Sequence, residues 1–152
     1  MAFRISGLPA EPFTHLFALP DAELAAHGAV REVAAGRYPC RVSLTDAEPG
    51  DSLILVNYLH QPTNSPYRSR HAIYVREGET RYDAIDEVPE QLRRRTLSVR
   101  GFDEAGMITE ADLVEGSQLE GLVERFFGNA RTRYLQVHFA KPGCYAARIE
   151  RA

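Results

Sequence analysis

Apolar and polar positions alternate with period two through much of the chain, which predicts a protein built mainly of strands. Cys40 to Thr45 sets Cys40, Val42 and Leu44 on one face and Arg41, Ser43 and Thr45 on the other. Ser52 to His60 contains the unbroken run Leu53-Ile54-Leu55-Val56, the pattern of a strand covered on both faces. His71 to Arg76 reads as a further strand, and Thr96 to Phe102 with Met107 to Val114 reads as a hairpin across Asp103-Glu104-Ala105-Gly106. Arg133 to Ala140 and Tyr145 to Arg151 form two more around the Lys141-Pro142-Gly143 turn. In the first of these, Leu135, Val137 and Phe139 share one face. Tyr134, Gln136 and His138 share the other, which is expected to be wet or to line a site. Phe3 to Ser6 and Val30 to Ala34 are shorter strand candidates.

The period changes to that of a helix over 117–128. Leu119, Leu122, Val123, Phe126 and Phe127 recur at helical spacing, Ser117 and Glu120 fit a capping box, and Gly128 or Asn129 can end the helix in the left-handed region. Shorter helices are expected at Ala22 to His27, capped by Asp21, and at Pro89 to Arg95. The expected fold class is α+β: a mostly antiparallel sheet or partial barrel, one main amphipathic helix (117–128) and short helices. Residues 1–152 make a single domain.

Composition narrows the function classes more than it names one. The chain is 44% hydrophobic and 26% charged, which excludes a disordered or collagen-like protein. Its net charge of -3 argues against a nucleic-acid partner, because phosphate neutralisation by basic residues supplies most of that affinity. The basic run Arg93-Arg94-Arg95 follows Glu87 and Glu90 and reads as a solvated face. No apolar run approaches the ~18 residues of a membrane span, and no leader pattern opens the chain, so a cytoplasmic protein with no membrane partner is expected. Cys40 and Cys144 form no CxxC motif and are expected as free thiols in a reducing compartment. All basic residues but Lys141 are arginine, a skew that coding bias explains and that carries no functional weight by itself.

The common phosphate-loop, dinucleotide, nucleophile-elbow and HExxH motifs are absent from the sequence. Three groupings carry candidate chemistry. The loop Asn64-Ser65-Pro66-Tyr67-Arg68 lies between His60 and His71; Arg68 offers a planar fork for a carboxylate or phosphate, and the histidines can transfer protons near neutral pH. Cys40 lies next to Arg41, whose guanidinium could activate a thiol. Cys40, His60, His138 and Cys144 are zinc ligands by type, but their spacing has no zinc signature, so neither a metal nor a cofactor is expected. The resulting expectation is a binder of a small anion through Arg41, Tyr67, Arg68 and Arg100, with or without turnover, and with His60, His138 or Cys40 as the catalytic candidates. A non-catalytic interaction module or homodimer is the alternative, since Tyr and Arg also dominate interfaces.

The segments Cys40-Arg41-Val42-Ser43-Leu44-Thr45-Asp46-Ala47, Gly50-Asp51, Ser65-Pro66-Tyr67-Arg68, Leu92 to Arg100 and Gly143-Cys144-Tyr145-Ala146-Ala147-Arg148 are the most distinctive. In this order and at this chain length they resemble the bacterial domain-of-unknown-function family numbered 1203, from about Gly36 to the C-terminus. His71-Ala72 stands where the resemblance implies Gly-Pro, which sets any role of His71 apart from the family. The resemblance implies a small single-domain bacterial protein and transfers no catalytic residue.

Overall fold

The structure, a computed structural model, describes residues 2–152. It consists of two antiparallel sheets with a few short helices, and neither sheet closes into a barrel. In chain order the elements are β1 (Phe3–Ser6), α1 (Glu11–Thr14), a 3-10 turn (His15–Ala18), α2 (Asp21–Ala26), β2 (Ala29–Val33), β3 (Ser52–Gln61) and β4 (Ser69–Arg76). They continue with β5 (Asp83–Ile85), α3 (Glu90–Arg93), β6 (Thr96–Phe102), β7 (Ile108–Glu115), α4 (Leu119–Phe127), β8 (Tyr134–Phe139) and β9 (Tyr145–Arg151). The large sheet has the order β5-β1-β9-β8-β6-β7, and the small one β2-β3-β4.

One face of the large sheet is apolar. Leu97 and Val99 of β6 and Leu135 and Val137 of β8 pack against Leu119, Leu122, Val123, Phe126 and Phe127, the buried side of α4. The helix starts later than the capping pattern suggests: Gly116–Gln118 form a 3-10 turn, Gln118 stands at the cap with no side-chain bond, and Ser117 does not cap. Nor does the end need a left-handed residue, because Gly128 stays right-handed at φ -64. Asp21 is likewise inside α2 and not its cap; Pro20 precedes the helix in extended geometry.

The small sheet carries Ile54, Val56, Ile73 and Val75 on one face, where Leu8, Phe13, Leu16 and Leu24 from the N-terminal segment complete a second core. Farther along the same face come His60 and His71, which meet the second face of the large sheet at His138. Of the two expectations for that face, wet or site-lining, the first does not hold: Tyr134, Gln136 and His138 are all buried.

Cys40 to Thr45 forms no strand. Only isolated bridges, Pro39 to Asp46 and Cys40 to Tyr74, mark it as extended. The physical reason lies in where its apolar residues go. Leu44 enters the core under α4, Val42 the core of the small sheet, and Cys40 a third cluster with Ala34, Ala47 and Leu53. A straight strand cannot reach three separate clusters, so the chain turns, with Leu44 at φ 52, a left-handed conformation held by the burial of its side chain. Gly7 lets β1 run against this turn. Leu8 N donates to Arg41 O at 2.8 Å, and a Cβ at Gly7 would collide with the carbonyl oxygen of Val42.

Candidate functional site

The turn delivers Arg41 into the interior. Its backbone N donates to Tyr74 O at 3.0 Å, and its side chain is 2% exposed. The guanidinium donates from Nε to Tyr145 O at 2.8 Å, from Nη1 to Pro39 O, and from Nη2 to the Cys144 sulfur at 2.9 Å. Among the described residues no carboxylate forms an ion pair with it. Burial disfavours the cation and pulls its pKa below the ordinary arginine value. A buried charge without a counter-charge is costly, and perturbed buried groups cluster at functional sites.

Arg41 forms part of the wall of a cavity of about 460 Å³. The wall also includes Ala72 and Tyr74 of β4, Arg95 and Thr96 at the entry to β6, Phe139 at the end of β8, and Lys141, Pro142 and Cys144 of the turn into β9. Three cations line it and, among the described residues, no carboxylate does. Arg95 pairs with Asp46 at 3.1 Å, while the exposed Lys141 has no ion-pair partner among the described residues. The Phe139 ring faces two guanidinium carbons, Arg41 at 5.0 Å and Arg95 at 5.2 Å from its centroid. Tyr74, stacked on Tyr38 at 5.1 Å, donates to Glu32 at 2.9 Å and so presents a fixed ring to the space. Cationic heads beside aromatic faces suit an anion with a planar or apolar body.

Tyr145, whose carbonyl accepts from Arg41, joins this wall to a layer of imidazoles in which His60 and His138 are buried and His71 is half-buried. His60 stacks on His71 (centroids 4.5 Å) and on Tyr145 (5.1 Å), and His138 meets His60 edge-on at 5.2 Å. Gln136 organises them. Its amide nitrogen donates to His60 O at 2.9 Å and Gln61 Oε1 at 3.2 Å, which turns its oxygen toward the rings. That oxygen lies 2.9 Å from His60 Nδ1, which donates to it, and 3.3 Å from His138 Nε2; the one N–H of a neutral His138 goes either to this oxygen or to Gly143 O, 3.2 Å from its Nδ1. His60 Nε2 is left as a buried lone pair with no partner. Burial lowers the His60 pKa to about 4 and the His138 pKa to about 3, and the charge of Arg100 pushes both in the same direction. His71 is lowered for the same reasons. The stacked His60 and His71 rings lie in nearly parallel planes, 12° apart, and one ion cannot lie in both. Among the described residues no three His, Cys, Asp or Glu side chains are arranged to hold a metal, so Cys40, His60, His138 and Cys144 do not form a zinc set.

The structure thus separates the residues singled out from sequence. Arg41 lines the cavity, and His60, His138 and Arg100 belong to the imidazole layer. Tyr67 and Arg68 do not join them. Their loop folds onto the far end of β6, where Tyr67 meets Phe102 edge-on, Ser65 bonds Gly106 O at 3.0 Å, and Arg68 donates to Pro62 O at 2.5 Å. The cavity opens at the Thr96 end of the same strand. At about 3.3 Å rise per residue the two ends of β6 stand roughly 20 Å apart. Cys40 is buried with its thiol 3.6 Å from Tyr38 O, and burial pushes its pKa up to about 12, the opposite of activation. The Arg41 guanidinium reaches the distant Cys144 and not its neighbour in sequence. Arg95, Lys141, Tyr74 and Phe139 were not legible as site residues; the sole lysine of the chain, set in a Pro-Gly turn before Cys144, was the available signal.

The chain belongs to the family described as a protein of unknown function (DUF1203), whose model matches residues 37–151. This span includes every cation of the cavity and all three histidines of the imidazole layer. No curated protein matches the chain, and no solved structure matches it.

Proposed function

We propose that this protein binds a small anion that carries a planar or apolar body, and that the cavity at Arg41 is the binding site. The observation that carries the reading is the buried Arg41, uncompensated by a carboxylate, in the wall of a 460 Å³ space shared with Arg95 and Lys141. Such a volume lies in the range of small-molecule sites, and an anionic head would supply the missing counter-charge. Arg41 and Arg95 would hold a carboxylate or phosphate, Lys141 would close over it from the exposed turn, and Phe139 and Tyr74 would flank the body. The two free cysteines support placement in a reducing compartment, the bacterial cytoplasm.

The test is a thermal-shift comparison of phenyl phosphate, benzoate and neutral benzyl alcohol. At 100 times its dissociation constant a ligand stabilises by about 2.7 kcal/mol, a readily measured rise in midpoint. The two anions should stabilise the protein, and Arg95→Gln combined with Lys141→Ala should remove the effect. Equal response to benzyl alcohol, or no response to either anion, would contradict the reading. The interaction-module alternative draws on Val30, Val33 and Leu113, which are exposed on edge strands of two different sheets. An obligate dimer indifferent to both anions would favour it.

A further inference from the structure

The cavity contains a nucleophile as well as cations. Cys144 is a free, partly exposed thiol in the cavity wall, and its sulfur sits 2.9 Å from Nη2 of Arg41. Among the described residues it is the one group touching that guanidinium which can itself become an anion; the other two acceptors, Tyr145 O and Pro39 O, are neutral carbonyls. Arg41 is fixed by those carbonyls and by Phe139, so its Nη2 is already aimed at the sulfur and need not reorganise when charge develops there. Arg95 adds positive charge at the same ring, and Lys141 stands three residues before the thiol on the same turn. Cys40 offers the internal contrast: it is fully buried, bonded to a carbonyl oxygen, and outside the cavity wall.

We propose that Cys144 is a nucleophile toward anionic electrophiles, molecules that join a carboxylate or phosphate to a carbon able to accept a thiol. This rests on the anion-binding reading of the cavity. In the step itself the Cys144 thiol gives its proton to solvent, and the sulfur, held by Arg41, donates an electron pair to the electrophilic carbon. A sulfur–carbon bond forms as the carbon's bond to its leaving group breaks, and the leaving group departs with that bonding pair. No electrons are exchanged with an oxidant or reductant. The cations keep the anionic end of the substrate beside the sulfur, which raises the effective concentration of the electrophile there.

Alkylation with iodoacetate and with neutral iodoacetamide tests this, with a short neutral cysteine peptide as reference. Rates are followed by intact mass and sites by peptide mapping. Cys144 should be modified and Cys40 spared, with iodide as the leaving group. The ratio of the iodoacetate rate to the iodoacetamide rate at Cys144 should exceed that of the peptide by about tenfold, the scale of one or two nearby charges at partial exposure. Because Arg41→Met could disturb the fold, Arg95→Gln with Lys141→Ala serves as the second variant. It should bring the ratio back toward the peptide's. A Cys144 that reacts no faster than the peptide with either reagent overturns the nucleophile assignment, even where anions still stabilise the fold. A fast Cys144 whose ratio equals the peptide's overturns the anionic substrate class, and the cavity reading with it.

Discussion

Acidifying the protein from pH 7.5 to pH 4.5 should remove a large part of its stability through two side chains. His60 and His138 are held neutral between the sheets, with pKa values lowered to about 4 and about 3. In the unfolded chain both titrate near 6.5. Between these values the unfolded state binds more protons than the folded one, so stability rises with pH across the window and falls as pH drops below 6.5. At pH 4.5 each unfolded histidine is almost fully charged while each folded one remains mostly neutral, which costs about 2.5 kcal/mol per residue. Together they account for about 5 kcal/mol, comparable with the whole stability of a small domain. His71 shifts in the same direction and adds to the effect. The carboxylates that are lowered by ion pairs and backbone bonds, such as Asp103 and Glu120, lose their contribution at lower pH, so this window belongs to the histidines. Chemical denaturation at half-unit pH steps measures it directly. His138→Asn, whatever its stability at pH 7.5, should show a shallower loss between pH 6.5 and 4.5. A wild-type profile flat over that interval, or a slope unchanged in the variant, would refute the assignment of neutral, desolvated imidazoles.

Other substitutions probe separate links. Gln136→Leu removes the oxygen that accepts from His60 Nδ1 and the nitrogen that reaches His60 O of β3, leaving buried polar groups unpaired; a loss of about 2–4 kcal/mol is expected by denaturant unfolding at pH 7.5. Gly7→Ala places a methyl group against Val42 O and should displace the turn that carries Arg41, lowering the unfolding midpoint and weakening anion binding together, by about 1–3 kcal/mol in stability. Arg68→Ala, at the opposite end of β6, should leave phenyl phosphate affinity within about twofold of wild type by calorimetry, since its contact is to Pro62 O. A tenfold loss there would move the site away from the cavity.

Most of the strands were legible because period two and turn residues are local signals. The β6–β7 hairpin and the β8–β9 pair appear within one or two residues of their sequence-read bounds. Cys40 to Thr45 misled because alternation reports which side chains are buried and not whether they enter the same core. Cys40, Val42 and Leu44 are all buried as the pattern requires, in three different clusters. The polar face of β8 was equally ambiguous. Tyr134, Gln136 and His138 do share a face, but a second sheet, distant in sequence, covers it. The site itself was half visible. Arg41 was singled out, yet its partner thiol lies 103 residues away, a pairing no local pattern encodes. The triple arginine run concealed a division of labour: Arg93 pairs with Glu120 and Arg94 with Glu90, as on any solvated face, while Arg95 pairs with Asp46 and lines the cavity.

An anion bound against Arg41 is visible in crystals soaked with 4-bromobenzoate through the anomalous signal of bromine. One bromine site is expected between Phe139 and Tyr74, with the carboxylate about 2.7–2.9 Å from the guanidinium nitrogens of Arg41 and Arg95. A bromine peak beside Arg68, or an empty cavity in crystals that bind the anion elsewhere, would contradict it.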